Sequence, residues 1–334
     1  MKTLSDIGEF GFIDKIASKY SQQEINMIGI GDDCSVVSLN DQESRLVTTD
    51  LLIENIHFLR DKITAEDLGY KSLAVNLSDI AAMGGIPQEI YISIGLPENI
   101  KVNWLDKFYA SMHELADKFN ARLMGGDTTS SKNNIIINIL VIGKIKTKNI
   151  KCRSDARESD IICLNGNIGD SPAGLKILLE DKKLDKTTKK LVHAHNHPEP
   201  RIEEGKCLAE HSIVHAMMDV SDGIGSDIFH IMERSKLGAR INLESLPISK
   251  EMLATAKKYN WDVFDLAING GEDYCLLFTV APAGFEELKK IYDNKFKSPI
   301  VKIGVIKNQA YGIKYFKDGK QQSIRGKGFD HFKK

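Results

Sequence analysis

The chain has 334 residues, a length that suits about two domains. Apolar residues make up 42% and charged residues 27%, the composition of an ordinary soluble globular protein. Lys and Arg total 45 against 46 Asp and Glu, a formal net charge of -1. That balance speaks against nucleic acid or an acidic membrane surface as the main partner, and leaves room for an anionic ligand in a local site.

The first half alternates strands and helices. Leu46–Thr49 reads as a β-branched strand running into Asp50. Thr64 opens a helix, with Asp67 as its capping-box partner. Leu73, Leu77, Ile80 and Ala81 share one face of that helix, which stops at Gly84-Gly85 before Pro87. Tyr91–Leu96 is a strand. Trp104, Phe108, Met112, Leu115 and Phe119 stand in helical register. Strands at Arg122–Met124 and Ile135–Ile145 flank an expected turn.

Residues 146–159 are polar and aperiodic, and the boundary is placed there, giving domains 1–147 and 148–334. Beyond it, Ile161–Leu164, Ile213–Met218, Cys275–Val280 and Val301–Ile306 read as strands. Pro172–Glu180, a stretch with Ile224, Ile228, Ile231 and Met232, and Phe285–Tyr292 read as helices. The fold class is therefore α/β (α+β): a mixed N-terminal sheet with helices and a C-terminal α/β domain. The greasiest run, Ile135–Ile142, is short and broken by Asn138, so no membrane span is expected. Five scattered cysteines without a CxxC pair point to a reducing cytoplasm.

The informative feature is acid next to Gly, Ser and Thr. It occurs in Gly29-Ile30-Gly31-Asp32-Asp33, Thr48-Thr49-Asp50, Asn76-Leu77-Ser78-Asp79 and Gly125-Gly126-Asp127-Thr128-Thr129. It recurs in Asp219-Val220-Ser221-Asp222-Gly223 and Gly270-Gly271-Glu272-Asp273. Any one of these is most simply a solvated turn or a cap. Carboxylates converging in one cleft repel and lose hydration, and stay ionised only beside cations. Oxygen ligands in flexible number suit Mg²⁺ or Ca²⁺, and Mg²⁺ is commonly shared with phosphates. Six such clusters read as a metal–polyphosphate site if they converge. The chain lacks GxxxxGK[ST] and a complete GxGxxG, so metals must do most of the phosphate binding.

These strings resemble the thiamine-monophosphate kinases of the aminoimidazole-ribonucleotide-synthetase-like superfamily. They run from Gly8-Glu9-Phe10 through IGDDCSVV, TTD…IHF, YKSLAVNLSDIAAMGG, GGDTT and DVSDGIGSD to NGGEDYCLLFT and GFDHF. The resemblance implies transfer of phosphate from ATP to thiamine monophosphate, giving thiamine diphosphate. It implies a homodimer paired through its N-terminal domains, which bind ATP and Mg²⁺, with the active site in the cleft between domains. Asp33, Thr48, Thr49, Asp50, Asp79, Asp127, Asp219 and Asp222 would serve several Mg²⁺ ions, with Asp127, Asp219 and Asp222 central to catalysis. Gly126, Asp127, Arg153, Ser221 and Tyr109 would contact ATP. His57, Glu272 and Phe329 would line the thiamine site. Asp32 and Asp273 are read as structural. His193, His195 and His197 are expected in a polar loop, with His197 where the family carries arginine. A superfamily ligase and a non-catalytic nucleotide sensor are the alternatives, and turnover separates them.

Overall fold

A computed structural model describes residues 2–20, 27–324 and 331–332. The first half comprises α1 (Leu4–Tyr20), β1 (Met27–Ile28), β2 (Ser35–Ser38) and β3 (Glu43–Ile53). It continues with α2 (Ala65–Ala82), β4 (Ile86–Leu96), α3 (Val102–Lys118), β5 (Arg122–Ser130) and β6 (Ile136–Lys146). The second half carries β7 (Ile161–Leu164), α4 (Asp170–Leu179), α5 (Lys186–Asn196), α6 (Ile202–Ala209), β8 (Val214–Asp219) and α7 (Ile224–Ser235). It ends in β9 (Leu237–Asn242), α8 (Lys250–Tyr259), α9 (Val263–Asn269), β10 (Leu276–Val280), α10 (Phe285–Lys295), β11 (Val301–Asn308), β12 (Ile313–Lys317) and β13 (Lys320–Gln322).

Among the described residues, the strands form two sheets, ordered β1-β2-β3-β6-β4-β5 and β13-β12-β9-β11-β7-β10-β8. Only β4–β5 and β9–β12 pair in parallel. Burial along β3 alternates, so Leu46, Thr48, Asp50 and Leu52 face inward while Arg45, Thr49 and Leu51 face outward. In contrast β7, β8 and β10 are buried at every residue. Ile161 and Cys163 pack into a core shared with the first half, and Ile162 and Leu164 into a core of the second half alone. A sheet covered on both faces needs largely apolar strands; β7 is apolar throughout, while β8 and β10 also bury His215, Asp219 and Thr279.

The helix α2 is the element between the two halves. It packs on α3, β3 and β6 on one side and on α6 and β8 on the other. The Thr64 hydroxyl caps it by accepting from the Asp67 N–H at 3.0 Å. The Asp67 carboxylate does not close a capping box; it meets His197 Nε2 at 3.1 Å on the opposite half. A Cβ at Gly205 would lie 2.1 Å from the Ala81 carbonyl oxygen, so only glycine lets α6 approach α2 this closely.

Two expectations are corrected. The GGDTT segment is not a turn but the second part of β5, which runs on to Ser130. The His193–His197 region is not a polar loop: His193 and His195 lie on α5, whose C-cap is His197, and His195 is only 4% exposed. The capping box at Asp185 and Thr188 starts that helix, and its buried stripe through Leu191 and His195 escaped notice because histidine is polar.

Candidate active site

Asp33, Asp79 and Asp219 converge, each offering a carboxylate oxygen within 4.8 Å of the others. They come from the loop before β2, from α2, and from the last residue of β8. Each is held by a neighbour. The Thr48 hydroxyl donates to Asp79 Oδ2 and the Ser78 hydroxyl to Asp219 Oδ2 at 2.5 Å. Arg153 Nη2 donates to Asp33 Oδ1 at 2.6 Å. The Arg153 N–H donates to Asp32 Oδ1 at 2.7 Å, so Asp32 ties the halves together. The Asp50 N–H donates to Asn76 Oδ1 at 3.0 Å.

This concentration of charge raises the carboxyl pKa values. Burial, and then Asp33, push Asp219 up to about 8 and Asp50 up to about 6. Burial, Asp50 and Asp219 push Asp79 well above the carboxylate range. Asp33 Oδ2 is buried without a hydrogen-bond partner. A clustered, oxygen-only donor set with an orphaned buried oxygen fits a hard divalent cation.

Sequence reasoning did not single out Asp227 on α7. Its carboxyl is buried among Asp222, Asp219 and Arg153, and the Asp222 N–H approaches it without reaching hydrogen-bond geometry.

Thr49 and Asp127 lie elsewhere. The strand register places Asp50, Ile139, Ile92 and Gly126 in one row, and Leu51, Asn138, Ser93 and Asp127 in the next. Adjacent rows point to opposite faces. Asp127 is thus on the outer face, with three strand spacings, about 14 Å, between its strand and that of Asp50. Thr49 is also outward, its hydroxyl accepting from Asn138 Nδ2 at 2.8 Å. A Cβ at Gly126 would lie 1.7 Å from the Ile92 carbonyl oxygen, which explains glycine at that inward position. Tyr109 is on α3, edge-on to Phe108 at 5.4 Å, and no contact among the described residues joins it to the aspartates. Ser221 accepts the Glu272 N–H at 2.7 Å through its carbonyl, which binds the NGGED loop to the loop after β8.

A second group forms around Glu272. Lys71 Nζ lies 3.0 Å from its Oε1 and His195 Nδ1 3.3 Å from its Oε2. His57 faces the same place. Its Nδ1 accepts the Ile53 N–H at 3.0 Å, which leaves the neutral-ring proton on Nε2. Burial, and then His331, lower its pKa. The His331 ring is 5.0 Å away. Phe329 lies outside the described residues. Asp273 accepts the N–H groups of Gly169 and Ser171 at 2.6 and 3.0 Å, a structural role at the start of α4. A surface cavity of about 820 Å³, lined by Arg60, Glu98, Ser130 and Lys132 among others, includes none of these groups.

The helix α2 buries Lys71, Ser72, Asn76 and Ser78 completely, and polar side chains with no exposure must find partners inside the protein.

Residues 31–145 match the model of the AIR synthase related protein N-terminal domain, and residues 157–314 that of its C-terminal domain. The chain is 37% identical to thiamine-monophosphate kinase of Buchnera aphidicola, over 97% of this chain and 98% of the relative. It is 38% identical to that of Haemophilus influenzae, over 98% of each. A solved structure described as AaThiL complexed with AMPPCP and TMP superposes with a TM-score of 0.86 and 31% identity, covering 99% of both chains. A structure of Escherichia coli HypE, 19% identical with a TM-score of 0.71, covering 84% of this chain and 85% of that one, shares the fold.

Proposed function

The chain belongs to the thiamine-monophosphate kinases, an AIR synthase related family, and phosphorylates thiamine monophosphate with ATP; we propose that it does so by direct in-line transfer in the Asp33–Asp79–Asp219 cleft. The observation that carries this reading is the convergence of those three carboxylates, from three separated segments, around an oxygen without a partner.

Asp33, Asp50, Asp79 and Asp219, with Thr48 and Asp222 beside them, would hold Mg²⁺, which neutralises polyphosphate charge and lets two anions meet. The residues themselves orient the reactants. Arg153 anchors Asp33, and its guanidinium and the Ser221 and Gly126 backbones are the contacts we assign to ATP, with Tyr109 toward the adenosine. The acceptor phosphate is already ionised near neutral pH, so no general base is required. Its oxygen forms the bond to the γ-phosphorus as the β–γ bridging bond breaks and ADP departs. His57 and Glu272 line the thiamine side.

We also assign a homodimer. The outer face of the first sheet exposes Leu51 (48%), and Leu123 (45%) and Met124 (56%) add apolar surface on its edge strand, an area that pairing would cover. Pairing would carry Asp127, which lies on the face of the sheet opposite Asp50, to the site of a second copy. Mixing Asp127→Asn with Asp219→Asn subunits should then restore about a quarter of wild-type activity, since half the dimers hold one intact site. No recovery on mixing would return Asp127 to its own subunit. All five cysteines are unpaired thiols, which fits cytoplasmic work, and no helix of the described residues is long and apolar enough to cross a membrane.

The test is a coupled ADP assay with thiamine monophosphate, with and without EDTA, and a search for labelled protein after incubation with [γ-³²P]ATP alone. Turnover abolished by EDTA with no labelled protein is expected. A phosphoenzyme that passes its label to thiamine monophosphate would overturn direct transfer.

A further inference from the structure

Lys71 has no place in the magnesium site, yet its side chain is completely buried, and an ammonium is not buried without a partner. It lies on α2 in the first half of the chain. Its partners are Glu272, in the loop before β10, and His195 on α5, both in the second half.

The hydrogen bonding has one consistent solution. Lys71 Nζ is 3.0 Å from Glu272 Oε1 and 3.4 Å from His195 Nε2. An ammonium only donates, so His195 Nε2 accepts. The neutral imidazole then carries its proton on Nδ1, whose hydrogen-bond partner is the Ser171 hydroxyl at 3.1 Å, with Glu272 Oε2 3.3 Å away. Burial, and then Lys71, push the His195 pKa down to about 3, in keeping with a neutral ring. Oε1 of Glu272 is thus paired with Lys71 and Oε2 lies against the His195 ring, while 27% of the side chain remains exposed. Its backbone is in the left-handed region, φ 65°, and is fastened by its N–H to Ser221.

We propose that Lys71 and His195 are positioning residues for Glu272, Lys71 neutralising its charge and the neutral His195 ring orienting the Lys71 ammonium, so that Glu272 recognises the thiamine moiety as a hydrogen-bond acceptor for the 4-amino group of the pyrimidine and not as the counter-ion of the thiazolium. The inference rests on the proposed substrate and deepens it. An isolated carboxylate would attract the cationic ring wherever it came close. A carboxylate already paired with a buried ammonium has no net charge to offer, and selects by donor geometry. The 4-oxo analogue would present an oxygen to the carboxylate and be rejected.

The experiment compares binding of three ligands by calorimetry in the presence of Mg²⁺: thiamine monophosphate, oxythiamine monophosphate, and the deazathiamine monophosphate whose central ring is uncharged. The wild-type protein should reject the oxo analogue by about 100-fold or more and bind the uncharged-ring analogue within a few-fold of the substrate. Lys71→Met should weaken substrate binding about tenfold or more, erase most of the discrimination against the oxo analogue, and leave ATP binding unchanged. Lys71→Arg should recover most of both. The opposite pattern, tolerance of the oxo group and loss on removing the ring charge, would overturn the proposal. So would a Lys71→Met protein that keeps its selectivity. The ¹⁵N shifts of His195 provide a reading independent of ligand: a neutral ring protonated on Nδ1 in the wild type, changed in Lys71→Met. If thiamine monophosphate neither binds nor turns over in the wild type, the substrate assignment fails, and the recognition role falls with it. An unchanged His195 signal in Lys71→Met refutes the positioning role by itself.

Discussion

Asp219→Asn is expected to lose turnover by about 100- to 1000-fold while making the metal-free protein more stable. The carboxyl is 1% exposed and opposes Asp33 and Asp79 across less than 4.8 Å. Asparagine keeps the shape and an oxygen to accept from Ser78, so the packing around β8 survives. What it removes is the charge. On the proposed mechanism that charge would help to hold Mg²⁺ and the phosphates; in the metal-free protein its ionised form, populated from about pH 8 upward, is repelled by its neighbours. Steady-state ADP release should report the first effect, and calorimetry in EDTA at pH 8 a melting temperature a few degrees above wild type. Activity within tenfold of wild type would remove Asp219 from the reaction. A lower melting temperature in EDTA would mean that the carboxyl is structural.

Stabilisation by magnesium should grow steeply with pH. Asp50, Asp79 and Asp219 all have folded pKa values raised above those of the unfolded chain. Between roughly pH 4 and pH 8 the folded protein therefore binds more protons than the unfolded one, and linkage requires metal-free stability to fall as pH rises through that window. The loss from Asp50 is complete just above its value of about 6, and that from Asp219 just above its value of about 8. Each pKa unit corresponds to about 1.4 kcal/mol, so the combined effect is on the order of several kcal/mol. Magnesium binds only the ionised form. The rise in melting temperature on adding it should be small at pH 5.5 and large at pH 8. Equal shifts at the two values would show that these carboxyls do not hold the ion.

Much of this was legible in the sequence because it is local. The strand at Ile161–Leu164 and the helix closed by Gly84-Gly85 follow from apolar periodicity and cap chemistry, which operate over a few residues. Element ends were less legible. The glycines of GGDTT read as a turn, yet β5 continues through them, because parallel pairing with β4 overrides their local preference. The stretch 193–197 read as loop because its histidines hide the helical stripe, although one of them packs inside.

The acids beside glycine read as a metal–polyphosphate site only on condition that they converge, and Asp33, Asp79 and Asp219 do. What the sequence could not divide was that set. Thr48 and Asp50 point into the cleft while Thr49, between them, points out, and Asp127 stands on the far face of an edge strand. Strand pleat and register decide which acids share an ion, and register is set by pairing between segments distant in the chain. Lys71 and His195 were assigned no function for the same reason: an ammonium and an imidazole 124 residues apart acquire a role only when α2 and α5 are brought together around Glu272.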